Sequence, residues 1–251
     1  MRTVVVVLAI IAFLLWYYPY LRYTRKHFAE DPDGTSEKLQ SKVQGILSFL
    51  LKLSGVELTI RGLENIPADQ AVLFVGNHRG YFDVVIAYSI LTRRLGFVAK
   101  KEMKKVPLLS EWMIYVNCLF LDRNDPRDGI RMIREGVEKL KAGTCIWIFP
   151  EGTRSRGEDE LDMLPFKEGS LKMAQKAGVP VIPVATTGTA RILEAHFPWI
   201  RPGKVTMEFG KPIHLEELEP EQKKFAGAYT REVIAGMLKE EKERRKAHES
   251  A

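Results

Sequence analysis

Apolar and polar positions change their spacing several times along the chain, and the changes mark its elements. Val4 to Leu15 is an unbroken apolar run, and no charged residue separates Arg2 from Arg22. A helix that crosses a bilayer needs about 20 such residues. Trp16, Tyr17, Tyr18 and Tyr20 follow as an interfacial aromatic belt would, then Arg22, Arg25, Lys26 and His27. Bulky aromatics stand where a cleaved signal peptide would carry small residues, so the run predicts a retained membrane anchor. If it spans, the heavier positive flank is C-terminal, which puts the remainder on the cytoplasmic face. The shortness of the run and Pro19 near its end leave a second geometry open, a helical hairpin with both helices dipping into one leaflet.

Glu30 to Glu37, with Asp31-Pro32-Asp33-Gly34, predicts a turn, and Ser36 is placed to cap the next helix. Leu39, Val43, Ile46, Leu47 and Leu50 then recur at helical spacing up to Ser54-Gly55, and Phe49, Leu51 and Leu53 widen that apolar face. From Val56 onward, short β-rich runs alternate with helical stretches. The expected strands are Val56–Arg61, Val72–Val75, Phe97–Ala99, Cys118–Leu121, Cys145–Phe149, Val181–Ala185 and Val205–Phe209. The expected helices are Phe82–Arg93, Lys101–Tyr115, Pro126–Lys141, Gly169–Ala177 and Pro220–Arg245. Such alternation predicts an α/β fold, a mixed and largely parallel sheet covered by helices, behind an N-terminal membrane-associated helical hairpin. It divides the chain into anchoring helices over residues 1–55 and an α/β domain over 56–251. The charged stretch from Lys239 to His248 reads as a solvated, fraying helix end.

The 251 residues carry a formal net charge of +6. A basic balance fits nucleic acid, an anionic membrane or acidic partners. No nucleic-acid module is present in the motifs, so membrane or phosphate is the better match. Cys118 and Cys145 sit in apolar strand-like runs and read as reduced core residues, because a disulfide framework would need more cysteines.

The chemistry concentrates in two segments. In Asn77-His78-Arg79-Gly80-Tyr81-Phe82-Asp83, His78 falls at the C-terminal mouth of a strand, where open α/β sheets hold ligands. Asp83 falls in the first turn of the following helix, where the helix dipole favours an ionised carboxylate. The loop between them lets Asp83 fold back onto one imidazole nitrogen and leaves the other facing substrate as a base. The arrangement is a hydrolase triad without its serine, and a substrate hydroxyl would be the nucleophile. The plainer alternative makes Asp83 a capping group only. Among the other histidines, none pairs with His78 at metal-ligand spacing, and no Cys/His cluster, Gly-x-Ser-x-Gly elbow or P-loop occurs.

The second segment, Phe149-Pro150-Glu151-Gly152-Thr153-Arg154, follows an apolar strand. Gly152 lets backbone approach a ligand, and Arg154 offers a planar fork for phosphate. Glu151 can accept from a glycerol hydroxyl or orient the arginine; a surface turn with a structural ion pair is the plainer alternative. Arg123 ends another strand, and Lys100, Lys101, Lys104 and Lys105 cluster before Val106-Pro107. Lys105, nearest that turn, is the favoured phosphate contact, although a lysine run is also an ordinary solvated face.

These blocks resemble the glycerolipid acyltransferases, specifically the 1-acyl-sn-glycerol-3-phosphate acyltransferases, over roughly residues 56–215. The resemblance rests on Asn77-His78 with Asp83, Phe120-Leu121-Asp122-Arg123, Phe149 to Arg154 and Val181-Ile182-Pro183-Val184, with Phe166-Lys167-Glu168-Gly169 between the last two. It implies acyl transfer from a thioester, acyl-CoA or acyl carrier protein, to the sn-2 hydroxyl of lysophosphatidic acid, with no metal or bound cofactor. Catalysis is then implied for His78 and Asp83. Glycerol-phosphate binding is implied for Arg123, Glu151, Gly152, Thr153 and Arg154, and shaping of the acyl-donor side is implied for the Val181–Val184 block. Arg79-Gly80 stands where the family often has Gln-Ser, and Arg79 adds a positive charge for an anionic substrate. The rival expectations are transfer to glycerol 3-phosphate or another lysophospholipid, and a non-catalytic membrane-binding module.

Overall fold

A computed structural model describes residues 1–249 of the chain. Three helices come first: α1 (Arg2–Trp16), α2 (Tyr18–His27) and α3 (Pro32–Ser54). Among the described residues no single helix is long and apolar enough to cross a membrane, but α1 and α2, bent by 46° at their junction, are together long and apolar enough. The helix α3 starts a full turn before Ser36. Asp31 is its N-cap, with Oδ1 accepting from the Gly34 N–H at 3.0 Å, and Pro32 fills the first helical position. Ser36 is therefore an interior, buried helix residue. Gly55 ends the helix in the left-handed region, at φ 71°.

Seven strands follow: β1 (Val56–Arg61), β2 (Leu73–Gly76), β3 (Leu95–Lys100), β4 (Leu119–Leu121), β5 (Cys145–Ile148), β6 (Val181–Thr187) and β7 (Gly203–Phe209). They form one sheet in the order β1-β7-β6-β2-β5-β3-β4. Every neighbouring pair is parallel except β6–β7, so the sheet is mixed and largely parallel, as the alternating pattern predicts. The remaining helices are α4 (Tyr81–Ile90), α5 (Leu109–Tyr115), α6 (Pro126–Lys141), α7 (Lys172–Ala177), α8 (Pro220–Lys224) and α9 (Ala226–Glu249). The central strands β2, β5 and β6 are buried along their whole length, which is why they read as continuous apolar runs. Side-chain alternation puts Phe74 and Gly76 on one face of β2, and Phe74 stacks on Trp147, which stacks on Phe97 across the sheet at centroid distances of 5.2 and 5.5 Å. Leu21 and Leu39 join the same core, and buried Gln40 of α3 bonds both the Arg93 carbonyl and the Leu95 N–H at the start of β3. Cys118 and Cys145 are free and buried.

Three expected helices are divided. Lys101–Tyr115 is a 3₁₀ turn over Lys101–Lys105 and then α5, because Pro107 forces Val106 into extended backbone and Leu108 takes φ 63°. Gly169–Ala177 begins as a 3₁₀ turn over Glu168–Leu171 before α7. Pro220–Arg245 breaks at Phe225 between α8 and α9. The charged stretch is not solvated on every side: Glu241 of α9 is buried against the sheet. Glu241 accepts from the Thr206 hydroxyl at 2.8 Å, from Arg245 Nε at 3.0 Å, from Arg244 Nε at 3.2 Å, and from Arg61 of β1.

Burial pushes the Glu241 carboxyl up, but the bonds from Thr206, Arg61, Arg245 and Arg244 outweigh it and bring the pKa from 4.5 down to about 2. A depressed carboxylate contributes its stability fully above the unfolded value and loses it as the pH falls from 4.5 towards 2. Glu241→Gln is expected to cost about 2–3 kcal/mol near neutral pH, since it uncouples three guanidinium groups from their acceptor. Urea titrations of both proteins should show that gap closing between pH 4.5 and 2; a gap independent of pH would contradict the assignment.

Candidate active site

The parallel strands β2 to β6 all end on one edge of the sheet, so the segments that leave them meet there. His78 leaves β2, the Phe149–Arg154 turn leaves its neighbour β5, and the Gly188–His196 segment leaves β6 on the other side. Strand mouths of this kind are the usual ligand edge of an open α/β sheet. Three hydrogen-bonded clamps hold the mouths together. The Asn77 side chain donates to the Thr186 carbonyl at 2.9 Å and accepts from the Thr186 N–H at 2.8 Å. The His78 N–H donates to Glu151 Oε1 at 2.7 Å, and the Ser155 N–H donates to the His78 carbonyl at 2.8 Å.

Asp83 is the third helical residue of α4 and has no exposed surface. Its Oδ2 accepts from His78 Nδ1 at 2.8 Å, the Arg79 N–H at 2.8 Å and the Gly80 N–H at 2.9 Å. An acceptor-only carboxylate on Nδ1 places the ring proton there. The imidazole lies flat on Phe149, with centroids 4.1 Å apart and planes at 14°. Among the described residues Nε2 has no partner, and the side chain keeps 18% exposure. The ring is thus fixed by one edge and one face, with its second nitrogen open to the mouth.

Glu151 is buried, with Oε1 on the His78 N–H and Oε2 accepting from the Leu164 N–H at 2.8 Å. Burial pushes its carboxyl up, and those two amides pull it back. Gly152 has φ 75°, and a Cβ there would stand 3.1 Å from Lys167 Nζ, so glycine serves both the turn and the close approach. Arg154 lies over the Tyr81 ring at 4.2 Å and donates from Nη1 to Glu194 Oε1 at 3.0 Å. Its other guanidinium nitrogens have no partner among the described residues. Thr153 is exposed beside it.

Lys105 and Arg123 are exposed and reach the same edge from β3 and β4. The strand β4 is three places from β2, roughly 14 Å at ordinary strand spacing, so Arg123 lies on the rim and not beside His78. Lys101 is tied to Asp122, and Lys104 lies over the Phe120 ring at 5.0 Å. Arg79 is not a substrate-facing charge. It is buried, donating to the Gly157 carbonyl at 2.7 Å and the Asp159 carbonyl at 3.0 Å, and so braces the 155–162 loop.

Sequence reasoning missed Glu194. Its Oε1 also accepts from the Tyr81 N–H at 2.8 Å, the first amide of α4, while Gly80 at the N-cap has no side chain to offer. A Cβ on Gly80 would stand 2.6 Å from Glu194 Oε2. Glu194 thus takes the place an N-cap side chain would fill, and a residue so distant in sequence left no local signal. Lys167 was visible only within the Phe166–Gly169 block.

A family model described as Acyltransferase matches residues 57–187, more than half of the chain. A 1-acyl-sn-glycerol-3-phosphate acyltransferase of Escherichia coli is 30% identical over 192 residues, 76% of this chain and 76% of that protein. One of Saccharomyces cerevisiae is 30% identical over 187 residues, 74% of this chain but 61% of the relative, and the chloroplastic BAT2 of Brassica napus is 33% identical over 62% of this chain and 44% of its own. The chain therefore spans only about half of the length of these last two. The crystal structure of the 1-acyl-sn-glycerophosphate (LPA) acyltransferase PlsC from Thermotoga maritima superposes with a TM-score of 0.80 at 27% identity, covering 96% of this chain and 95% of that one. With the matched segment carrying both His78 and the Phe149–Arg154 turn, the chain belongs to the acyltransferase family, alongside the 1-acyl-sn-glycerol-3-phosphate acyltransferases.

Proposed function

We propose that the chain transfers a fatty acyl group from an acyl thioester to the sn-2 hydroxyl of 1-acyl-glycerol-3-phosphate, giving phosphatidic acid. The observation that carries this reading is His78, held through Nδ1 by Asp83 with Nε2 open, at the same strand mouth as the half-paired guanidinium of Arg154. The acceptor hydroxyl gives its proton to Nε2 while its oxygen attacks the thioester carbonyl. The tetrahedral intermediate collapses with cleavage of the C–S bond, and the leaving thiolate takes the proton back from the imidazolium. Asp83 keeps the ring in the required tautomer and offsets its transient charge. The serine of a hydrolase triad is unnecessary, because the nucleophile is the acceptor itself.

Arg154 is the phosphate fork in this reading, with Lys167, Thr153 and the Gly152 turn beside it and Lys105 and Arg123 on the rim drawing in anions. Glu151 acts through its clamp on the His78 backbone. The thioester is a co-substrate, on coenzyme A or acyl carrier protein. Residues 1–55 act as the membrane anchor, since α1 exposes Val4, Val7, Leu8, Ile11 and Leu15 along its length. The catalytic domain then lies at the cytoplasmic face, where the positive flank of the first apolar run directs it.

The test is acyl transfer from a labelled thioester in detergent, with lysophosphatidic acid and glycerol 3-phosphate as parallel acceptors. Phosphatidic acid from lysophosphatidic acid alone is expected, and His78→Ala and Asp83→Asn should each lose about 10²–10⁴-fold in rate. Product chiefly from glycerol 3-phosphate would overturn the acceptor assignment, and a His78→Ala protein within severalfold of wild type would overturn the base. Arg154→Ala should raise the acceptor KM with little change in kcat; a change in kcat alone would remove the phosphate role. Gly80→Ala should reproduce a milder KM defect by displacing Glu194, and adding Glu194→Ala should cause no further loss, whereas additive losses would separate the two residues.

A further inference from the structure

The segment that carries Glu194 continues into the most exposed aromatic pair beyond α1, Phe197 at 73% and Trp199 at 57% exposure. Their backbone is firmly held. The Trp199 N–H donates to the His196 carbonyl at 2.7 Å, and the Arg201 N–H donates to the carbonyl of buried Ile192 at 2.9 Å. The Ile200 N–H donates to the Thr3 hydroxyl at 2.8 Å, and the Gly203 N–H donates to the Gly55 carbonyl at 3.3 Å. Arg2 and Pro202 also converge on Gly55, so the start of α1, the end of α3 and this loop meet at one point. A loop fixed at both ends that turns a phenylalanine and a tryptophan outward presents an apolar surface that folding leaves uncovered.

We propose that Phe197 and Trp199 are a second interfacial contact with an anionic lipid bilayer, distinct from the apolar helices and continuous with the exposed face of α1. Three features select this partner. Trp and Phe suit the headgroup–acyl boundary, where an apolar ring is covered and a polar edge stays wet. Arg2, Arg191, Arg201 and Lys204 are all exposed around the loop, a charge complement to acidic headgroups. The hydrogen bond to Thr3 joins the loop to an exposed apolar helix face. The consequence is positional. Glu194, which holds Arg154 and the first amide of α4, lies one short turn before Phe197, so the candidate phosphate fork is set at headgroup depth. The inference rests on the proposed anchoring role of residues 1–55 and adds a surface to it.

The test uses the full chain with single cysteines at Phe197→Cys and, separately, Leu8→Cys, each carrying an environment-sensitive dye. The native Cys118 and Cys145 are buried and stay unlabelled in the folded protein. Vesicles of phosphatidylcholine with phosphatidylglycerol are added at low and high salt. The expected result is a blue shift at both positions, and about tenfold weaker vesicle co-sedimentation for Phe197→Ser/Trp199→Ser. A shift at position 8 with none at 197 would overturn the loop contact and leave the anchor standing. No shift at either would overturn both. A shift at 197 that grows with protein concentration without vesicles would assign the surface to a second copy of the chain. Acyl transfer measured on the same samples reads the proposed activity separately.

Discussion

Asp83 is a fully buried carboxylate that places three donors on one oxygen, the His78 ring and the two backbone amides of Arg79 and Gly80. Burying a charge is costly unless it is paired and hydrogen-bonded, so the turn from Asn77 to Gly80 is committed to the one shape that supplies those bonds. The same bonds start α4 and aim the imidazole. The aim of the imidazole and helix initiation are thus one structural event, and Asp83 cannot be altered for one without the other.

Around that turn, the neighbouring strand mouths are locked together by side-chain-to-backbone bonds. Asn77 grips both backbone groups of Thr186, and Glu151 bridges the His78 and Leu164 amides. These clamps tie β2 to β6 and β5 at the edge where the ladder hydrogen bonds run out. They hold His78 at a braced sheet end, the placement that the proposed base needs, since its aim must hold to a fraction of an ångström. Arg154 is positioned by the same economy of parts: Glu194 caps α4 and steadies the guanidinium at once.

Much of this was legible along the chain because its causes are local. The buried strands showed as apolar runs, and the His78–Asp83 spacing fixed both the strand mouth and the first helical turn. The break before α5 also has a local cause in Pro107, although residues 101–115 read as one helix. What stayed hidden depends on partners remote in sequence. Lys239 to His248 looks solvated until Arg61 and Thr206 are brought against Glu241. Arg79 looks like a substrate-facing charge until the 155–162 loop folds over it. Glu194 becomes visible only when its loop is laid beside Tyr81, 113 residues away.

In the proposed reaction Asp83 holds the proton on His78 Nδ1 and leaves Nε2 bare for the acceptor hydroxyl. Nitrogen NMR on detergent-solubilised protein carrying ¹⁵N-histidine, with His78 assigned by difference from His78→Ala, reads that proton. At a pH where the ring is neutral, Nδ1 should be protonated and Nε2 unprotonated. A His78 protonated at Nε2 would contradict it, because no lone pair would then face the mouth of the sheet.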